Sequence, residues 1–177
     1  MTTRLRIFAR GTAVLSVCGT YRYDLYRRAR TKNIWAAKPL LFLMLNPSTA
    51  DNKKDDPTVS ACMGHSDLLG YNGIRVLNLY AYRSTNPKKL WEVQDPVGPD
   101  NDEYLQSALS RYAGQEVVCA WGNHAEPARV LEVMQMLQQA ECIPVCFGIN
   151  QTGMPKHPLY VARGTVLIPY TYAPETI

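Results

Sequence analysis

The chain has 177 residues, 46% of them hydrophobic and 19% charged, and a formal net charge of +4. That size and balance fit one globular domain able to bury most of its core, and they exclude intrinsic disorder. No apolar run approaches the roughly 20 residues needed to cross a bilayer. Nor does a run of signal-peptide length follow the basic start Met1-Thr2-Thr3-Arg4-Leu5-Arg6, so a cytoplasmic protein without membrane contact is expected.

In chain order, Leu5, Ile7, Ala13, Leu15 and Val17 alternate around Gly11. After Gly19, Tyr21, Tyr23 and Leu25 alternate with Arg22, Asp24 and Tyr26. This predicts an antiparallel meander over 1–35. An α/β core over 39–170 follows, the two parts making one domain over 1–177. Leu40 to Leu45 is an unbroken apolar run, as in a strand buried on both faces, and it stops at the turn signal Asn46-Pro47-Ser48. Asp56-Pro57 reads as a helix N-cap with proline at the first helical position, the helix running to about Leu69 and closing at Gly70.

Ile74 to Tyr80 is a second strand. Pro87 to Trp91 is a short helical turn, and Asp95 to Pro99 a loop. A helix from Asp100 to Tyr112 carries Tyr104, Leu105, Ala108 and Leu109 on one face. Glu116 to Trp121 is a third strand. Pro127 opens a helix to about Ala140 with Val130, Leu131, Met134 and Leu137 at helical spacing. Ile143 to Phe147 is a fourth strand, and Gly148 to Pro158 a polar loop. Strands alternating with helices predict a three-layer α/β/α sandwich on a mainly parallel, four-stranded central sheet, with helices on both faces.

The five cysteines (Cys18, Cys62, Cys119, Cys142, Cys146) lack paired spacing, which favours buried, reduced thiols over a metal cluster. Asp51, Asp55 and Asp56 read as caps and solvated charges rather than a magnesium site. No metal and no cofactor is expected. Arg4, Arg6, Arg10, Arg22, Arg27, Arg28, Arg30 and Lys32 cluster early. They suit either a solvated edge hairpin, where cations block edge pairing, or a phosphate-facing strip. Arg83, just past a strand end, suits a phosphate or a salt bridge to Asp95.

In a parallel sheet the polar strand tips share one edge: Asn46, Asn78 with Tyr80, and Asn123 with His124. The last loop adds Lys156 and His157. Ligands bind in the crevice beyond such strand ends. An amide offers an acceptor and a donor side by side, the pattern needed to read a nucleobase edge. A histidine can donate a hydrogen bond to developing negative charge. Ser48 lacks the surroundings of a hydrolase nucleophile, and no paired carboxylates, P-loop or dinucleotide fingerprint is present.

In this order, Leu43-Met44-Leu45-Asn46-Pro47, Val76-Leu77-Asn78-Leu79, Val117-Val118-Cys119-Ala120-Trp121-Gly122-Asn123-His124-Ala125 and Lys156-His157-Pro158-Leu159 resemble the four ordered motifs of the uracil-DNA glycosylase superfamily over residues 39–160. The resemblance implies that Asn46 orients a water, Asn78 reads the base edge and His157 stabilises the departing base. It also implies an apolar wedge, here Leu159 or Tyr160, and an aromatic beneath the flipped base, Tyr71 by position or else Tyr80 or Tyr82. Further base or ligand contacts fall to Ser48, Asn123 and Lys156, and phosphate contacts to Arg83 and Arg22. The chain departs from that family in carrying Met44 or Leu45 where its first motif has glycine, and in a shorter His-Pro loop.

Tyr21-Arg22-Tyr23, Leu45-Asn46-Pro47-Ser48-Thr49-Ala50-Asp51, Asp56-Pro57-Thr58, Asn78-Leu79-Tyr80-Ala81-Tyr82-Arg83 and His157-Pro158-Leu159-Tyr160 also resemble a bacterial and phage domain family without an assigned reaction. Together these features imply a nucleobase-recognising protein whose partner is DNA or a nucleotide, with hydrolysis of an N-glycosidic bond in DNA as the reaction. The alternatives are a non-catalytic nucleotide or single-stranded nucleic-acid binding module, and an enzyme acting on free nucleotides or modified bases. No protein partner is implied.

Overall fold

The computed structural model describes residues 3–8, 11–29, 38–48 and 55–173. One eight-stranded sheet organises it. Its strands are β1 (Thr3–Phe8), β2 (Gly11–Ser16), β3 (Arg22–Arg28), β4 (Leu40–Met44), β5 (Gly73–Asn78), β6 (Glu116–Cys119), β7 (Ile143–Cys146) and β8 (Ile168–Pro169), in the order β1-β2-β3-β5-β4-β6-β7-β8. The four strands β5-β4-β6-β7 are mutually parallel, with Phe42 opposite both Val76 and Val118. The predicted meander β1-β2-β3 pairs antiparallel onto β5.

Three helices, α1 (Pro57–Leu68), α2 (Asn101–Leu109) and α3 (Pro127–Gln139), make the crossovers between successive parallel strands. The two faces of β4 explain how they divide. All five β4 residues are buried. Because side chains alternate across a strand, Leu41 and Leu43 pack into one core with Leu105, Leu109, Val130 and Val133 of α2 and α3. Leu40, Phe42 and Met44 pack into the other with Val59 and Cys62 of α1. Helices therefore cover both faces, which is why the strand could be apolar throughout.

Local chemistry sets the boundaries. Asp56 caps α1, its carboxylate accepting from the Val59 N–H at 2.8 Å, with Pro57 in the first turn. The predicted helix from Asp100 tightens into a 3-10 turn over Ser110–Tyr112. On α3 the buried face is Val130, Val133 and Leu137, while Leu131 is 37% exposed. The expected stripe is thus rotated, with Val133 in the place given to Leu131.

Three further expectations change. The basic stretch of β3 is not on an edge, because β3 lies between β2 and β5; the edge strand is β1, which carries Arg4 and Arg6. Arg22 and Arg27 are buried, Arg27 pairing with Asp55 at 2.9 Å, whereas Arg28 is exposed. Arg22 and Arg27 therefore form neither a solvated rim nor an open strip. Arg10, Arg30, Lys32, Thr49, Ala50 and Asp51 lie outside the described residues. Four cysteines are buried as expected, but Cys18 is exposed on the β2–β3 turn. Strand β8, too short to leave a periodic signal, pairs antiparallel with β7. No helix among the described residues is long and apolar enough to cross a membrane.

Candidate functional site

The sequential pair β4 and β5 is followed by β6 on the other side of β4, so strand order reverses at β4. Loops leave a switch point in opposite directions and open a crevice there. A cavity of about 520 Å³ occupies it, within the range of small-molecule sites. Met44, Leu45, Val59, Val76 and Trp121 give it an apolar lining. Of the residues expected in the site, Asn46, Ser48, Asn78, Asn123, Lys156, His157, Leu159 and Arg22 line this one cavity.

Asn78 ends β5 with 1% exposure, and among the described residues neither its amide oxygen nor its amide nitrogen has a hydrogen-bond partner. Buried polar groups are almost always paired, because an unmade bond costs about 1–3 kcal/mol. Its main chain, in contrast, is firmly held. The Asn101 amide donates to the Asn78 and Leu79 carbonyls at 3.0 and 3.1 Å, and Arg129 Nε donates to the Leu79 carbonyl at 2.9 Å. Arg129 is in turn fixed by Asp102 and Glu132. The strand tip is rigid, and its amide carries one unused donor and one unused acceptor.

Asn46 is the reverse case. Its NH₂ group donates to the Pro47, Tyr82 and Ser84 carbonyls at 3.1, 3.4 and 2.9 Å. Three carbonyls on one nitrogen fix the amide orientation, leaving Oδ1 as an acceptor without a partner among the described residues. The Asn-Pro turn thus caps the adjoining backbone with one end of the amide and keeps the other end for the cavity.

His157 sits at the start of the 3-10 turn Pro158–Tyr160, and its Nδ1 accepts from the Leu159 N–H at 3.3 Å. A neutral imidazole that accepts at Nδ1 carries its proton on Nε2. Burial lowers the His157 pKa below 6.5, against the pull of the Asp56 charge, so the ring is neutral near pH 7. The loop bearing it is tied down at several points. The Gly122 N–H donates to the Pro155 carbonyl at 3.1 Å, and the Lys156 N–H to the Gly148 carbonyl at 2.8 Å. From α1, which packs against this turn, buried His65 sets its ring 4.3 Å from Phe147.

Four expected residues lie elsewhere, Tyr82 among them on a neighbouring cavity. Tyr71 contacts Glu116 at 3.4 Å, at the start of β6 and so at the opposite edge of the parallel strands. Tyr80 is buried in the core, where its hydroxyl accepts from the Glu126 N–H at 3.2 Å and its ring meets Trp91 edge-on. Burial pushes its phenol up to about 12. Arg83 lines a neighbouring cavity and donates to the Gly19 carbonyl at 3.0 Å, making no ion pair with Asp95. Asn123 lines the main cavity, but its carbonyl oxygen already accepts from Asn150 and Thr152, both at 2.8 Å.

Two lining residues were read differently from sequence. Asp56 is a helix cap as expected, yet its carboxylate also lines the cavity, and the charges of both Arg22 and His157 respond to it. Only one of its oxygens is used by the cap, and no sequence pattern separates a cap from a cap facing a ligand. Trp121 belongs to the core, edge-on to Tyr170 at 5.6 Å, and lines the cavity as well, its indole N–H without a partner among the described residues.

A family model described as a protein of unknown function (DUF1643) matches residues 22–159, from the start of β3 to the turn after His157. No curated protein and no solved structure matches the chain.

Proposed function

The chain belongs to this family of unknown function, and from that premise we propose that it recognises a nucleobase in the cavity at the β4, β5 and β6 tips and hydrolyses its N-glycosidic bond, in the manner of the uracil-DNA glycosylase superfamily. The observation that carries the reading is the Asn78 amide: buried, rigidly mounted, lining the cavity, with donor and acceptor both unused. Such a pair matches a base edge that presents a carbonyl beside a ring N–H. The apolar lining suits the faces of the ring.

The chemistry follows from three further groups. Asn46 Oδ1 accepts a hydrogen bond from a water and orients it. The water oxygen attacks the anomeric carbon, the glycosidic bond breaks, and its electron pair leaves with the base. The water's proton passes to Asp56, since an amide cannot take it. His157, neutral with its proton on Nε2, donates a hydrogen bond to the base oxygen where charge develops.

Oligonucleotides carrying uracil or modified pyrimidines test this. Base release is expected, falling by about 100-fold or more in His157→Ala and in Asp56→Asn. If the purified protein leaves every base intact, the hydrolytic reading fails. A specific observation favours the non-catalytic reading instead: Leu45, buried and lining the cavity, stands in one alignment where the glycosylase motif has glycine. Salt-dependent binding without base release is its signature.

A further inference from the structure

A second cavity, of about 450 Å³, adjoins the first and shares Ser48, Ser84 and Thr85 with it as a common wall. Two cations line it, Arg83 and Lys89, and no carboxylate does so among its described lining residues. Arg83 is anchored at both ends of the residue: its backbone N–H donates to the Thr20 carbonyl and its Nη1 to the Gly19 carbonyl, each at 3.0 Å. Its Nε is enclosed and has no hydrogen-bond partner among the described residues. The guanidinium is therefore held in place by neutral carbonyls. The Ser48 and Thr85 hydroxyls have no partner among the described residues either. The wall between the cavities is fixed by Asn46, whose amide grips the Tyr82 and Ser84 carbonyls.

We propose that this second cavity is a phosphate subsite, so that the ligand is a phosphorylated nucleotide or a nucleic-acid strand, with its base in the first cavity and a phosphate against Arg83, Lys89 and the Ser48 and Thr85 hydroxyls. A guanidinium fixed in place, a second cation and hydroxyl donors are the donor set that phosphate oxygens take. The inference rests on the reading of the first cavity as a base site, and it adds the substrate class: a free base or nucleoside leaves half of the site empty.

Calorimetric titration with the common nucleosides, their 3′- and 5′-monophosphates and short single-stranded oligodeoxynucleotides separates the possibilities. The expected result is that one nucleoside binds and that its phosphorylated form binds about tenfold tighter or more. That gain should be lost in Arg83→Gln and reduced in the exposed-site variant Lys89→Gln, with nucleoside affinity unchanged. A gain already present in a monophosphate assigns a terminal phosphate; a gain confined to oligonucleotides assigns an internucleotide one. If phosphate adds nothing to nucleoside binding, the subsite is refuted and the base reading stands. If phosphorylated ligands bind through Arg83 without preference for any base, the base reading fails and the subsite stands. If nothing binds, both fail. Lys89→Gln guards against a folding defect in Arg83→Gln, since the exposed Lys89 side chain makes no bond among the described residues; its backbone N–H bond to the Asn86 carbonyl is kept by glutamine.

Discussion

At the scale of single residues, the side chains at the strand tips divide by what they have left unspent. Asn46 uses its NH₂ group on backbone and retains an oxygen; Asn123 spends its oxygen on Asn150 and Thr152; Asn78 spends nothing. An amide kept unpaired at 1% exposure costs folding free energy, and Asn78→Leu should return it. The variant is expected to gain about 1–2 kcal/mol, which raises Tm by roughly 2–8 °C for a chain of this size. Thermal unfolding of the free protein checks this. A loss of stability would mean that Asn78 has a structural partner and is not held for a ligand. The strand-end amides and the histidine were legible in the sequence, because polar residues that end apolar runs stand out. Their hydrogen-bond states were not, since these depend on carbonyls supplied by residues 82 and 84, far along the chain.

At the scale of elements, the site depends on the joint between the β6 tip and the loop that carries His157. Gly122 has φ +73°, and a Cβ there would meet the His157 Cβ at 3.6 Å. Gly122→Ala fits sterically but forces alanine into the left-handed region, at about 1–2 kcal/mol. The expected outcome is a stability loss of that size by urea unfolding, with weakened ligand binding because the Gly122–Pro155 bond registers the loop. Unchanged stability would contradict the strained turn. The same joint shows where sequence reading ends. The strand, Trp121-Gly122 and the His-Pro turn were each visible as punctuation. That Pro155 bonds Gly122 and that α1 packs against the His-Pro turn is tertiary information. Tyr71 illustrates the converse: its position beside a predicted strand was clear, but which end of the sheet it occupies follows from strand direction, and it faces Glu116 at the far edge.

At the scale of the whole molecule, the cavity sits at the tips of the parallel strands, and two histidines stand on the elements around it: buried His65 on α1 and half-buried His157 at the start of the turn that α1 packs against. Burial lowers the pKa of both His65 and His157 below 6.5. The folded chain therefore resists protonation that the unfolded chain accepts. Their contribution is fully present above about pH 6.5 and is lost as pH falls through their folded-state values. Unfolding midpoints in urea should fall between about pH 6.5 and about pH 5, above the range where carboxylates titrate; His65→Gln should flatten the profile. A midpoint that rises over that interval would contradict the assignment. The parallel core was legible from four apolar strands separated by helices, down to the strand tips sharing an edge. The placement of β3 beside β5, which buries Arg22 and Arg27, was not, because local alternation cannot say which strand a hairpin joins.

The central claim is that the cavity at the strand tips reads a nucleobase through Asn78. Titrating the common nucleosides and free bases into the wild-type chain and into folded Asn78→Leu tests it most directly. Binding of one base class to the wild type, weakened by about tenfold or more in Asn78→Leu, is the predicted result. Equal binding by both proteins, or no binding by the wild type, would contradict it.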